Sequence, residues 1–190
     1  MVNLTASLPP LIQSERLLLR RPTLEDAEAF YIAARASIAE VFPFLPWCHP
    51  DYDIEDTRNW LLTVQDDWQA GASYAFLIEH HGQLVGGCGI NALDEHGGAN
   101  LGYWIRSDVT ARGYASEATR ALAAWAFEHL SMHRIEIVMS VHNLASQKVA
   151  EKAGALYEAT VRNRLLLHDK LHSAHIYSLV PEDVLHLARN

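Results

Sequence analysis

The chain has 190 residues, 49% hydrophobic and 20% charged. That is room for one ordinary domain with a full core, too little for two, and the wrong composition for disorder or low complexity. Its longest apolar run, residues 121–127, is far short of a bilayer span, and residues 1–5 have neither the basic nor the apolar stretch of a secretory signal. With 15 basic and 23 acidic side chains the formal charge is −8, which argues against a nucleic-acid-coating surface. Cys48 and Cys88 make no disulfide framework. A cytoplasmic protein with no direct nucleic-acid or membrane partner is expected.

Residues 17–21 read as a short strand that Pro22 ends. Thr23 offers an N-cap, with Asp26 three residues on, for a helix through Ala27, Phe30, Tyr31 and Ala34. Residues 41–49 hold Pro43 and Pro46 among aromatics, so an irregular connection is expected there. A second helix follows over residues 56–70, ended by Gly71. Residues 74–79 and 84–92 flank His81-Gly82 as a hairpin. Residues 99–105 form a strand with Leu101, Tyr103 and Ile105 on one face and Gly102 and Trp104 on the other. Ala118, Ala121, Leu122, Trp125 and Ala126 recur at helical spacing and predict a helix over residues 116–130. Ile135, Ile137, Met139 and Val141 alternate with Glu136 and Ser140 as a strand. Residues 143–153 are a short helix stopped by Gly154, and residues 156–167 and 171–179 a hairpin turning at His168-Asp169. The order is β-α-α-β-β-β-α-β-α-β-β, a mixed α/β domain covering residues 1–190.

Two strand–loop–helix junctions carry polar or uncovered backbone groups. In Thr110-Ala111-Arg112-Gly113-Tyr114-Ala115-Ser116, Gly113 and Ala115 leave N–H groups open beside the positive end of a helix. That suits phosphate oxygens, and equally a plain turn. The segment lacks Gly-Lys-Ser/Thr, and the chain lacks G-x-G-x-x-G, so nucleoside triphosphatase and dinucleotide folds are poor readings. Asn143-Leu144-Ala145-Ser146 opens the next helix; Asn143 is an ideal N-cap and Ser146 sits at N3, so capping alone explains both. The succession of two such junctions favours a shared ligand. No metal site is expected: His129 and His133 lack an intervening glutamate, and His168, His172 and His175 cross a hairpin. Cys88, among Gly86, Gly87 and Gly89, reads as a buried small residue, and Asp66-Asp67 as solvated helix surface.

Taken together, these motifs resemble the GNAT superfamily of N-acetyltransferases, and most closely its branch of ribosomal-protein N-terminal acetyltransferases, the RimJ/RimL group. Ser14-Glu15-Arg16-Leu17-Leu18-Leu19-Arg20 matches the opening strand of that branch, and Gly102-Tyr103-Trp104-Ile105 its fourth. Arg112-Gly113-Tyr114-Ala115-Ser116-Glu117-Ala118 matches its pyrophosphate loop, and Asn143-x-x-Ser146-x-x-Val149-Ala150-Glu151-Lys152-x-Gly154 its last helix. The resemblance implies a six- to seven-stranded mixed sheet with helices on both faces, splayed between its fourth and fifth strands around acetyl-CoA as co-substrate. By the same resemblance the backbone of Trp104, Ile105 and Arg106 pairs with the pantetheine arm. Arg112, Gly113, Tyr114, Ala115 and Ser116 hold the pyrophosphate, Asn143 lies near the thioester, and Ser146 lies by the sulfur. The implied reaction is direct attack of a primary amine on the thioester, with Ser146 or Tyr157 protonating the departing thiolate.

The chain departs from the family pattern at three places. Thr110 stands where the loop often opens with Gln or Arg. Ala155, followed by Leu156 and Tyr157, replaces an aromatic. The acidic residue some members carry on the next strand falls near Leu165, flanked by Arg164. The general base is therefore not carried over; Tyr103, Glu117, Glu79 and a water relay are the candidates. Leu45 and Trp47 match the branch's L-x-W, which makes Phe42-Pro43-Phe44-Leu45-Pro46-Trp47 a candidate acceptor wall, or else core, with Tyr103 also on the substrate side. Asp51, Asp53, Glu55 and Asp56 follow at once and either attract an ammonium group or solvate a helix start. The preferred acceptor is a protein N-terminal α-amine of ribosomal-protein type. A small amine (antibiotic, polyamine or amino acid) and a non-catalytic acyl-CoA-binding module are the alternatives, and pairing into a homodimer is left open.

Overall fold

A computed structural model describes residues 8–185. Strands β1 (Leu11–Gln13), β2 (Leu18–Arg20), β3 (Tyr74–His80), β4 (Gln83–Asn91), β5 (Gly98–Ile105), β6 (Arg134–Ser140), β7 (Leu156–Leu167) and β8 (Lys170–Leu179) form one sheet. Its order is β1-β2-β3-β4-β5-β6-β8-β7. Neighbours are antiparallel except β5 and β6, which run parallel. The helices are α1 (Ala27–Arg35), α2 (Ile38–Val41), α3 (Ile54–Ala70), α4 (Tyr114–His129), α5 (Leu144–Ala153) and α6 (Pro181–Leu185). None among the described residues is long and apolar enough to cross a membrane.

The mixed α/β class is as expected, with one strand more than the six or seven anticipated. β1 has only three residues, too few to show a period, and exists through pairing with β2 at Ile12↔Leu19. The two inner faces follow the strand alternation. Ile135, Ile137 and Met139 of β6 and Leu101 of β5 share a core with Leu122, Ala123 and Ala126 of α4. On the opposite face Trp104 and Leu77 pack with Phe30, Ala33 and Ala34 of α1. Gly87 makes room for that second core: a Cβ there would stand 2.8 Å from the Trp104 Nε1.

Helix starts fall slightly earlier than their apolar stripes suggest. α3 begins at Ile54 because Asp53 caps it, its carboxylate accepting from the N–H groups of Glu55 (2.8 Å) and Asp56 (3.0 Å). Asp56 returns the bond by accepting from the Asp53 N–H at 2.9 Å. Most of the acidic run is thus spent opening a helix. α4 begins at Tyr114, so Tyr114, Ala115 and Ser116 are its first turn rather than loop. Both hairpin turns and the Gly154 end of α5 lie where expected.

Candidate active site

β5 and β6 pair only at Gly98↔Arg134, Ala99↔Ile135 and Asn100↔Glu136. Beyond these they run on to Ile105 and Ser140 without pairing each other. The sheet forks here. Which main-chain groups face the gap follows from the other edge of β5. The Arg106 N–H donates to the Val85 carbonyl at 2.8 Å. Bonding direction alternates along an antiparallel strand, so in the register Gly87↔Trp104 both Trp104 and Arg106 address β4, while Tyr103 and Ile105 address the gap. Of the three residues expected to pair with the pantetheine arm, Trp104 and Arg106 turn their main-chain groups to β4, and Ile105, with Tyr103, turns its own to the gap. The Arg106 guanidinium is also engaged, with Asp108 at 2.6 and 3.0 Å and the Leu84 carbonyl at 2.9 Å.

At the open end of the fork stands the start of α4. Ala111 and Gly113 take positive φ, 62° and 83°, turning the chain so that the free N–H groups of the first helical turn point outward. A Cβ built on Gly113 meets only the Arg16 Nη2, at 3.3 Å. The cradle is otherwise open. Ser116 donates its hydroxyl to the Gly113 carbonyl at 3.0 Å, and the buried Tyr114 places its own hydroxyl 3.1 Å from the His80 Nδ1. These side chains shape the turn, which leaves its N–H groups open beside the exposed Arg112 guanidinium, whose charge also reaches Asp108 and His80.

Glu117 anchors the turn from behind. Its carboxylate accepts from the Ser14 hydroxyl (2.7 Å), the Arg16 N–H (2.8 Å) and the Arg16 guanidinium (2.6 and 2.7 Å), and Arg16 donates onward to the Arg112 carbonyl at 3.1 Å. Burial pushes the Glu117 carboxyl up, but these donors outweigh it and hold the group below the usual carboxylate range. An ionised, fully engaged carboxylate is a poor proton acceptor, so Glu117 leaves the list of base candidates. Glu79 is engaged by Arg20 at 2.7 Å on the flank of the sheet and is equally unsuited.

The second junction combines capping with something more. The Asn143 Oδ1 accepts from the Ser146 N–H at 3.0 Å, as the capping reading required, while its Nδ2 has no hydrogen-bond partner among the described residues. The Ser146 hydroxyl lies 2.8 Å from the Tyr103 hydroxyl, which also donates to the Ser146 carbonyl at 3.1 Å. Tyr103 thus reaches across the fork from β5 to α5. Burial pushes its phenol up to about 12, against the opposing pull of the Ser146 bond, so near neutrality it is a donor and not a base. Tyr157 is not part of this group. It is 53% exposed on β7, with its hydroxyl 2.9 Å from the Thr160 Oγ1, itself 2.7 Å from the His175 Nδ1.

Trp47 is half-buried, its ring 5.8 Å from Phe30 and 5.6 Å from both Tyr52 and Trp104. It covers the second core and presents one face to solvent. The hairpin tip reaches the same segment, where His168 stacks on Phe42 at 4.2 Å and its Nε2 lies 2.9 Å from the Phe42 carbonyl. Sequence reasoning overlooked a cavity of about 460 Å³ on this side of the fork, lined by Asn91, Asn100, Glu136, Val138, Arg164 and Leu165 among others. Strand alternation already placed Glu136 and Val138 opposite the α4 core, which was the available signal. Cys88 is buried, and burial pushes its thiol well up, so it is no nucleophile. Among the described residues no three His, Cys, Asp or Glu side chains are placed to share a metal.

Residues 16–156 match the family model described as the acetyltransferase (GNAT) domain. An uncharacterized N-acetyltransferase of Bacillus licheniformis, p20, is 26% identical over 90% of this chain and 97% of its own length. The ribosomal-protein-serine acetyltransferase of Escherichia coli is 27% identical over 66% of this chain and 71% of its own. In fold, the chain is similar to a solved RimL, a ribosomal L7/L12 alpha-N-protein acetyltransferase in complex with coenzyme A: the TM-score is 0.83 at 23% identity, covering 90% and 97% of the two chains. The forked sheet, the open helix start beside it and the matched model agree: the chain belongs to the GNAT family of acetyl-CoA-dependent N-acetyltransferases.

Proposed function

We propose that this enzyme acetylates the N-terminal α-amine of a protein, and that its chemistry centres on the hydroxyl pair of Tyr103 and Ser146. The 2.8 Å contact between these hydroxyls at the fork carries the reading. The name of the Escherichia coli relative supports the acceptor class. Acetyl-CoA supplies an activated acyl group on a thiol leaving group. The groups present fit it: an unpaired strand edge at Tyr103 and Ile105, an open turn at Gly113, and a spare amide on Asn143.

In this assignment Tyr103 and Ile105 hold the pantetheine arm by their main chain, and the N–H groups from Gly113 to Ser116, with Arg112, hold the pyrophosphate. The Asn143 Nδ2 donates near the carbonyl, where negative charge develops. As the thioester breaks, the single Tyr103 proton turns from the Ser146 carbonyl to the Ser146 Oγ, which frees the serine's own proton for the departing sulfur. An α-amine has a pKa of roughly 7.7–8.0, so water suffices to take its proton. Tyr157 has no part in this assignment. With a seven-residue peptide and saturating acetyl-CoA, Ser146→Ala and Tyr103→Phe should each lower kcat by about 10²-fold with the acetyl-CoA KM nearly unchanged. Tyr157→Phe should stay within about twofold of wild type. Full activity in Ser146→Ala, or collapse in Tyr157→Phe, would overturn the assignment.

A further inference from the structure

Ile135, Ile137 and Met139 are buried in the core that includes α4, so the intervening Glu136 and Val138 leave the opposite face of β6. There they line the 460 Å³ cavity with Asn91, Asn100, Arg164 and Leu165. The cavity runs along the whole paired stretch, from Gly98 and Arg134 to Asn100 and Glu136, and extends to Val138, past the last pair. It therefore opens at the vertex of the fork. A thioester carried inward along the edge from Ile105 to Tyr103 is directed at that vertex, and an amine standing in the cavity meets it from the face opposite α4.

The polar groups of the cavity are unevenly satisfied. Asp94 accepts from the N–H groups of His96 and Gly98, both at 2.8 Å, and Asn100 donates to Asn91 at 3.1 Å. Arg134 is held by Glu158 at 2.5 Å and by Glu136 at 3.0 Å. Both of its bonds to Glu136 fall on Oε1, so among the described residues Oε2 has no hydrogen-bond partner and is open to an ammonium N–H. Arg164 also has no partner among the described residues. It lies in the irregular stretch of β7 between Val161 and Leu165, where Arg162, likewise unpartnered, adds a second charge and Asn163 takes φ 52°. Within the lining Arg134 and Asp94 are already engaged, so Arg164 is the cation left for a ligand, with Arg162 beside it outside the lining.

Resting on the peptide-acceptor reading above, we infer that this cavity is the acceptor site and that it selects N-termini followed closely by an acidic residue. Glu136 and Asn100 face the amine end, and Arg164 pairs with the acidic side chain. The ligand these groups require carries an ammonium and a carboxylate on one short peptide.

The test uses two peptides, Ser-Ala-Asp-Asp-Ala-Ala-Ala and Ser-Ala-Lys-Lys-Ala-Ala-Ala, with wild type, Arg164→Glu and Arg162→Glu at saturating acetyl-CoA. Wild type should favour the aspartate peptide by about tenfold, mainly in KM, with the preference shrinking at about 0.5 M salt. Arg164→Glu should invert the order at unchanged melting temperature and acetyl-CoA KM, and Arg162→Glu, outside the cavity lining, should retain it. Equal rates on both peptides in wild type would overturn the inference while leaving the peptide-acceptor reading intact. No turnover of either peptide, alongside turnover of small amines, would overturn both. Equal loss of preference in the two variants would assign the effect to overall hairpin charge and overturn the cavity assignment.

Discussion

At residue scale, Gly113 keeps open the turn proposed to receive the phosphates. Its φ of 83° strains any L side chain, and the nearest group to an added Cβ is the Arg16 guanidinium at 3.3 Å. Gly113→Glu would fill the open side of the turn, set a carboxylate where phosphate must lie, and draw Arg16 onto itself. Calorimetry should show acetyl-CoA affinity falling by about 100-fold or more. Gly113→Ala, strained but uncharged, should fall less. Equal affinity in wild type and Gly113→Glu would remove this turn from the binding site. The glycine was legible in the sequence because a left-handed turn before a helix has few other solutions. The anchor behind it was not: Glu117 meets Ser14 across 103 positions, and no local pattern reports a contact of that separation. Tyr103 shows the same limit. Its face on β5 could be read from alternation, but its bond to Ser146 depends on how α5 packs across the fork.

At the scale of elements, the segment that follows α2 covers the second core and is proposed as the acceptor wall. Trp47 rests on Phe30, Tyr52 and Trp104, and Trp104 is the outward neighbour of the strand edge at Tyr103 and Ile105. Trp47→Ala should therefore cost about 2–3 kcal/mol, below the 3–5 of a fully buried aromatic because one face is already wet. It should also raise the amine KM more than the acetyl-CoA KM. Thermal unfolding measured beside kinetics checks this. An unchanged melting temperature with an unchanged amine KM would leave Trp47 neither role. The longer elements were readable because their periods repeat several times, as in α4 and β6. β1 was not, since three residues carry no period and its existence depends on β2. The fork was legible only in part: alternation revealed the faces of β5 and β6, but not that pairing stops after Asn100↔Glu136.

For the whole molecule, ionised carboxylates tie the ends of the sheet to its helices. Glu117 joins the Ser14–Arg16 turn to α4, Asp26 joins β2 to the start of α1 through Arg20, and Glu158 joins β7 to β6 through Arg134. The Arg134 bonds hold Glu158 at about 2, and Asp26 and Glu117 are also lowered, their bonds overcoming burial. Groups with a folded pKa below the unfolded value stabilise fully above the unfolded value and lose that contribution as pH falls through the folded one. The melting temperature should thus hold on the acid side of neutrality until about pH 4.5 and then fall steeply towards pH 2, apart from a gentler slope contributed by His80, whose pKa is lowered by desolvation and by the neighbouring His81, Arg16 and Arg112. Glu117→Gln isolates one of these links. At neutral pH it should cost about 1–3 kcal/mol, because Arg16 and Ser14 keep a weaker acceptor in place of a charged one. As pH falls through the lowered folded pKa of Glu117 the wild-type carboxylate itself becomes neutral, so the two melting curves should converge there. The Glu117 charge also raises the pKa of His80, so the two curves differ in slope near neutrality as well. A constant offset from pH 7 to pH 2.5 would mean that the glutamine disturbs packing alone, and the charge link between the N-terminal turn and the phosphate-facing helix would be withdrawn.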